Sequence, residues 1–181
     1  MRSERFVNVV GAFVAVALAA TTVGVAPLRA ADDKAETLVY AVYNGQDTAT
    51  QVFKTMKSAQ SSTGERIESY AVVSKDLKGK VTVRDQRKRD SGVGAVLGGV
   101  IGLVGGPVGV AAGAAAGGAA GYLTGDAVGI PRDKVENMKQ SLTNDSSALV
   151  VVLEDKWVKD VERDMSQANA RAVIANQIAS K

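Results

Sequence analysis

The chain of 181 residues has no cysteine and no histidine. Without cysteine there is no disulfide framework, no thiol nucleophile and no lipid-bearing cysteine. Without histidine there is no imidazole base and no common nitrogen ligand for zinc or copper. Net charge is also scarce. Arg2, Arg5 and Arg29 against Glu4 fall in the first 30 residues, which takes the formal charge from +3 to +1 for the remainder. A nucleic-acid-binding reading therefore loses its electrostatic footing. Charge is missing altogether from residues 91 to 125, and there glycine takes over.

In that stretch the glycines fall four apart. Gly94, Gly98, Gly102 and Gly106 form one series; Gly105, Gly109, Gly113, Gly117, Gly121, Gly125 and Gly129 form a second. A spacing of four puts residues on nearly one helix face, where small side chains let backbones touch. Glycine costs a lone exposed helix about 1 kcal/mol per residue relative to alanine, so the pattern makes sense when close packing offsets that loss. Gly105-Gly106-Pro107 breaks the register, which predicts a hairpin of two helices over 92–104 and 107–124. At 1.5 Å per residue the arms reach about 20 and 27 Å, against a lipid core of about 30 Å. Three destinations follow: a shallow hairpin in lipid, a self-associated bundle, or a hairpin docked on the chain's own sheet. Length and lack of charge put membrane association first, with a transmembrane helix as its strongest form. A phosphate-cradling reading fails on spacing, because Gly92, Gly94 and Gly98 do not match the dinucleotide fingerprint and no Gly-Lys-Ser/Thr is present.

The N-terminus reads as an export signal. Arg2 and Arg5 precede an uncharged run over 6–26, and Leu28-Arg29-Ala30 gives a cleavage point after Ala30. The same run is long enough for a retained anchor helix. After the signal peptide (1–30) and a linker (31–36), an α+β domain is expected in two parts, 37–90 and 131–181, around the hairpin at 91–130. Residues 37–43 are almost wholly apolar, as a buried strand is. Asn44-Gly45 is turn chemistry, and Thr48 and Gln51 have capping-box spacing ahead of an amphipathic helix. Strands over 67–75 and 80–84 pair as a hairpin. Pro131 opens a helix with Val135, Met138 and Leu142 on one face, and 147–153 is the clearest strand. Asp155 precedes a final helix bearing Trp157, Val161 and Met165; residues 171–178 fit either a fifth strand or more helix. The order, hairpin aside, is that of a ferredoxin-like split βαβ sandwich. Joining residue 90 to 126 should then leave a folded domain.

An apolar first strand, an amphipathic helix, a strand pair with a Gly-Lys-Val turn, a glycine-alanine hairpin and a Ser-Ser-Ala-Leu-Val-Val-Val strand resemble a bacterial family, domain of unknown function 1269. The resemblance spans 36–166 and implies a small membrane-associated protein, with no established activity and no catalytic residues. The leader departs from members that are mostly leaderless.

Site candidates follow from the same residues. Gly94, Gly98, Gly102, Gly105, Gly109, Gly113, Gly117, Gly121 and Gly125 are helix-packing positions. Arg84, Arg87, Lys88 and Arg89, abutting the apolar stretch, are lipid-headgroup contacts. Glu65, Glu68, Asp76, Asp126 and Asp133 read as solvated carboxylates, and Trp157 as core rather than an interfacial anchor. The expected protein is exported, periplasmic and membrane-associated (inner membrane before outer). It is non-enzymatic, without cofactor or metal, and self-associates through the hairpin; its partners are membrane lipid and its own copies, not nucleic acid. An oligomeric pore is an alternative, short of lumen-facing polar residues. A soluble periplasmic small-ligand-binding domain is another.

Overall fold

Five strands form one antiparallel sheet, four of them largely apolar and β3 polar toward its end: β1 (Glu36–Asn44), β2 (Ser69–Lys75), β3 (Val81–Arg87), β4 (Ser146–Glu154) and β5 (Ala172–Ile178). Four helices connect them: α1 (Thr48–Ser58), α2 (Ser91–Gly117), α3 (Arg132–Ser141) and α4 (Val158–Gln167), the last entered through a 3-10 turn (Asp155–Trp157). The structure, a computed structural model, describes residues 35–58, 66–67, 69–87, 91–117 and 129–178, with backbone alone at 91–92 and 107–117. The expected signal peptide, Glu65, Glu68, Lys88, Arg89, Gly121, Gly125 and Asp126 lie outside the described residues. The class is α+β.

The strand order is β3-β2-β4-β1-β5. The β1-α1-β2 unit is split by β4, and the β4-α4-β5 unit is split by β1, so the two interlock. The second unit is thus closed by α4 and β5, not by the helix at 131–142 that the sequence order proposed. Residues 171–178, open between strand and helix in the sequence, form edge strand β5 against β1.

Both faces of the sheet are covered, which is why β1 and β4 read as unbroken apolar runs instead of alternating ones. Val39, Ala41, Tyr43, Leu149 and Val151 face α1 and α4. Leu38, Tyr40, Val42, Ala148 and Val150 face α2 and α3. The start of α1 is held differently from the expected capping box. Thr48 Oγ1 donates back to Asn44 O, and the Ala49 N–H is taken by Ser147 Oγ of β4 at 3.0 Å. A neighbouring strand thus satisfies a helix-end donor.

The glycine stretch breaks where proline dictates. Gly106 has φ 64° and ψ −151°, a conformation reserved for glycine, and divides α2 into two helical lengths. The first length lies on the sheet: Val93, Leu97, Val100, Ile101 and Val104 are buried in the same core as Leu38, Tyr40 and Val81. Burying such side chains contributes about 1.5–3 kcal/mol each, so this face supplies on the order of 10 kcal/mol, comparable to a whole domain's stability. Of the three destinations, docking on the chain's own sheet is the one this length takes. The expected transmembrane helix is corrected accordingly: among the described residues no helix is long and apolar enough to cross a membrane.

Candidate functional site

β3 extends the sheet past the edge covered by α1, and its basic residues gather on that ledge. Cross-strand partners share a face, so Arg87 opposite Tyr70 and Asp85 opposite Val72 lie on the α1 side. The register shifts between Val72 and Val73, leaving Arg84 as the extra residue of a bulge. Its Nε donates to Ser74 Oγ at 2.8 Å, on the same side. The sequence candidates Arg84 and Arg87 therefore stand together, both exposed.

Folding adds two cations the sequence reading did not single out. Lys54 and Lys57, one helical turn apart on α1, line an open cleft of about 410 Å³ with Phe53, Ser58, Tyr70 and Asp85. The rings of Phe53 and Tyr70 stack at 4.0 Å with a 38° tilt, and Lys57 Nζ sits 5.7 Å above Phe53. Tyr70 donates its hydroxyl to Asp85 Oδ2 at 3.2 Å. Burial first, and the Asp85 charge second, push its pKa up, so it stays a neutral donor. The only trace of this site in the sequence is the spacing of Lys54 and Lys57, which an ordinary solvated helix face shares. The arrangement places the ammonium groups of Lys54 and Lys57 along one side of an open cleft. Among the described residues no group of carboxylates is gathered to hold a metal ion.

The remaining candidates are dispersed. Gly94, Gly98 and Gly102 are buried along the first length of α2. Gly105 packs on a strand: a Cβ built there would lie 3.2 Å from Val81 Cγ1. Gly109, Gly113 and Gly117 belong to the second helical length, described by backbone alone. Asp76 accepts backbone N–H bonds from Lys78 and Lys80, both at 2.8 Å, and so shapes the β2–β3 turn. Asp133 is exposed in the first turn of α3. Trp157 is half-buried against the α1/α4 core, with the Arg66 guanidinium 3.2 Å above its ring and Lys156 at 5.6 Å. A second groove, of about 460 Å³, runs between α1 and α4 over Val52, Met56 and Ala168.

The chain matches no curated protein and no solved structure. Residues 92–181 match the family model described as "Protein of unknown function (DUF1269)". The match starts at the glycine stretch and takes in α2, α3, β4, α4 and β5. It reaches the C-terminus, beyond residue 166, while β1, α1, β2 and β3 lie outside it. Over residues 92–181, then, this chain belongs to the DUF1269 family, whose description assigns no activity.

Proposed function

We propose that this is an exported, non-enzymatic interaction protein that meets an anionic membrane surface with the β3 side of its sheet, without spanning it by a described helix. The observation that carries this reading is the placement of Lys54, Lys57, Arg84 and Arg87 on one open face. Each basic residue near an anionic surface contributes about 1 kcal/mol, so the four supply on the order of 4 kcal/mol, sensitive to salt. Export rests on the layout of residues 1–30. The interlocked β1-α1-β2 and β4-α4-β5 units support a ferredoxin-like reading, with β3, α2 and α3 as the addition that covers its second face. Self-association through Gly109, Gly113 and Gly117 belongs to the same proposal, since the glycine series continues past Gly106.

The test is co-sedimentation of the full chain with vesicles of phosphatidylcholine alone or mixed with phosphatidylglycerol. Any apolar contribution of the leader is common to both, so the difference reports charge. Greater sedimentation with the anionic vesicles is expected, lost at high salt and in the Lys54→Glu, Arg84→Glu, Arg87→Glu variant. Equal sedimentation with both vesicle types would overturn the reading.

A further inference from the structure

The β2–β3 turn at residues 76–80 holds Leu77, which is 72% exposed and the one large hydrophobic side chain left in solvent among the described residues. A lone exposed leucine needs no explanation by itself; this one is braced and ringed by cations. Asp76 N–H donates to Lys80 O and Gly79 N–H to Asp76 O, both at 3.0 Å. The Asp76 carboxylate takes two backbone amides of the same turn. Gly79 adopts φ +82°, and from the far side Asn144 Nδ2 donates to Leu77 O at 3.1 Å. Five hydrogen bonds therefore fix the loop that presents one apolar side chain. An apolar group held in place loses little further entropy when it is buried by a partner.

The charge around it has one sign in excess. The hairpin from β2 to β3 carries Lys75, Lys78, Lys80, Arg84 and Arg87 against Asp76 and Asp85 alone. Both acids are engaged, Asp76 by its own turn and Asp85 by the Tyr70 hydroxyl. Lys78 and Lys80 are exposed beside Leu77, while Lys75 Nζ reaches inward to Leu142 O at 3.1 Å. An apolar tip flanked by lysines matches the layering of an anionic bilayer, with headgroup charge outside and acyl chains beneath.

We infer that Leu77 is the insertion point of this protein on anionic lipid: the tip enters the acyl boundary while Lys78 and Lys80 hold headgroups. The inference rests on the membrane reading above and assigns its contact to one residue. Leu77 sits in the turn of the β2–β3 hairpin, whose second strand carries Arg84 and Arg87.

Because the chain has no cysteine, Leu77→Cys provides a single attachment point for an environment-sensitive fluorophore. A label at Ser166→Cys, exposed on α4, is the control. With phosphatidylglycerol-containing vesicles, the label at 77 should shift to the blue and lose quenching by aqueous iodide; the label at 166 should do neither. Leu77→Asp should lower the sedimented fraction. If the protein sediments preferentially with anionic vesicles while the label at 77 stays in water, the insertion is overturned and the membrane reading stands. If preferential sedimentation itself is missing, the membrane reading falls first.

Discussion

Gly105 packs against Val81: a Cβ at Gly105 would lie 3.2 Å from Val81 Cγ1 and 3.4 Å from Val81 Cβ. A member of the glycine series thus brings a helix onto a strand. Gly105→Leu should cost about 1–3 kcal/mol by overpacking, and Val81→Ala in the same chain should return part of it. A urea midpoint for the double variant no higher than for Gly105→Leu alone would show that Val81 is not the obstacle.

The first length of α2 carries a second expectation. Leu97→Ala and Ile101→Ala remove buried side chains facing the sheet and should each lose about 2–5 kcal/mol. Replacing residues 91–125 by a short flexible linker should expose Tyr40, Val42, Val73 and Val81 and abolish cooperative melting, the reverse of what a separable insertion predicts. A sharp melting transition in that deletion would restore the insertion view.

Tyr43 lies in the α1/α4 core with a hydroxyl that has no hydrogen-bond partner among the described residues, while Tyr40, on the other face, donates to Met138 O at 3.2 Å. Tyr43→Phe removes an unsatisfied buried group and should be neutral or stabilising, by about 1 kcal/mol at most. Tyr40→Phe should destabilise by about 1 kcal/mol for the lost hydrogen bond, Met138 O keeping its bonds from Ser141 Oγ and Leu142 N–H. A clear loss of stability in Tyr43→Phe would mean that its hydroxyl does have a partner in solution.

The same two tyrosines give a pH dependence. Burial raises both pKa values above the ordinary 10.0. The unfolded chain then releases these protons first, so their contribution to stability is complete below about pH 10 and declines as pH rises further. Chemical denaturation at pH 9 and at pH 11 should show a smaller decline in the Tyr40→Phe, Tyr43→Phe variant than in the natural protein. Equal declines would assign the alkaline sensitivity elsewhere.

At the β5 edge, Arg171 N–H donates to Val42 O at 2.7 Å, so the backbone groups of Val42 and, by alternation, of Tyr40 and Leu38 point toward β5. The outer edge is then formed by Val173, Ala175 and Gln177, with no charged residue in the strand. Two of its carbonyls are already taken: Lys134 Nζ of α3 donates to Ala175 O at 2.5 Å and Asn176 Nδ2 to Gln177 O at 2.8 Å. An apolar sheet edge invites pairing with another chain. Lys134→Met should therefore raise concentration-dependent association in sedimentation velocity; an unchanged distribution would show that Lys134 does not guard the edge.

Local pattern made several elements legible. The continuous apolar runs of β1 and β4, the amphipathic faces of α1 and α4, and the Gly105-Gly106-Pro107 break each follow from residues adjacent in sequence. β5 escaped because its residues neither alternate cleanly nor form a helical stripe, and its strand state comes from pairing with β1. The capping of α1 escaped for a related reason: Ser147, which takes the Ala49 N–H, lies 98 residues away.

Of the candidate site, Arg84 and Arg87 were legible in the sequence, and Lys54 and Lys57 joined them only when α1 packed on the sheet, in a cleft shared with Asp85 of β3. The sequence by itself determined that residues 91–104 form an uncharged length of small and apolar side chains, a surface suited to close packing. It left open what they approach. Lipid, a second hairpin and a bare sheet face all accept an apolar surface of small residues, since apolar burial is non-directional. Only the tertiary structure decided, by placing α1 and α4 on one side of the sheet and leaving Leu38, Tyr40 and Val42 on the other for α2 and α3 to cover.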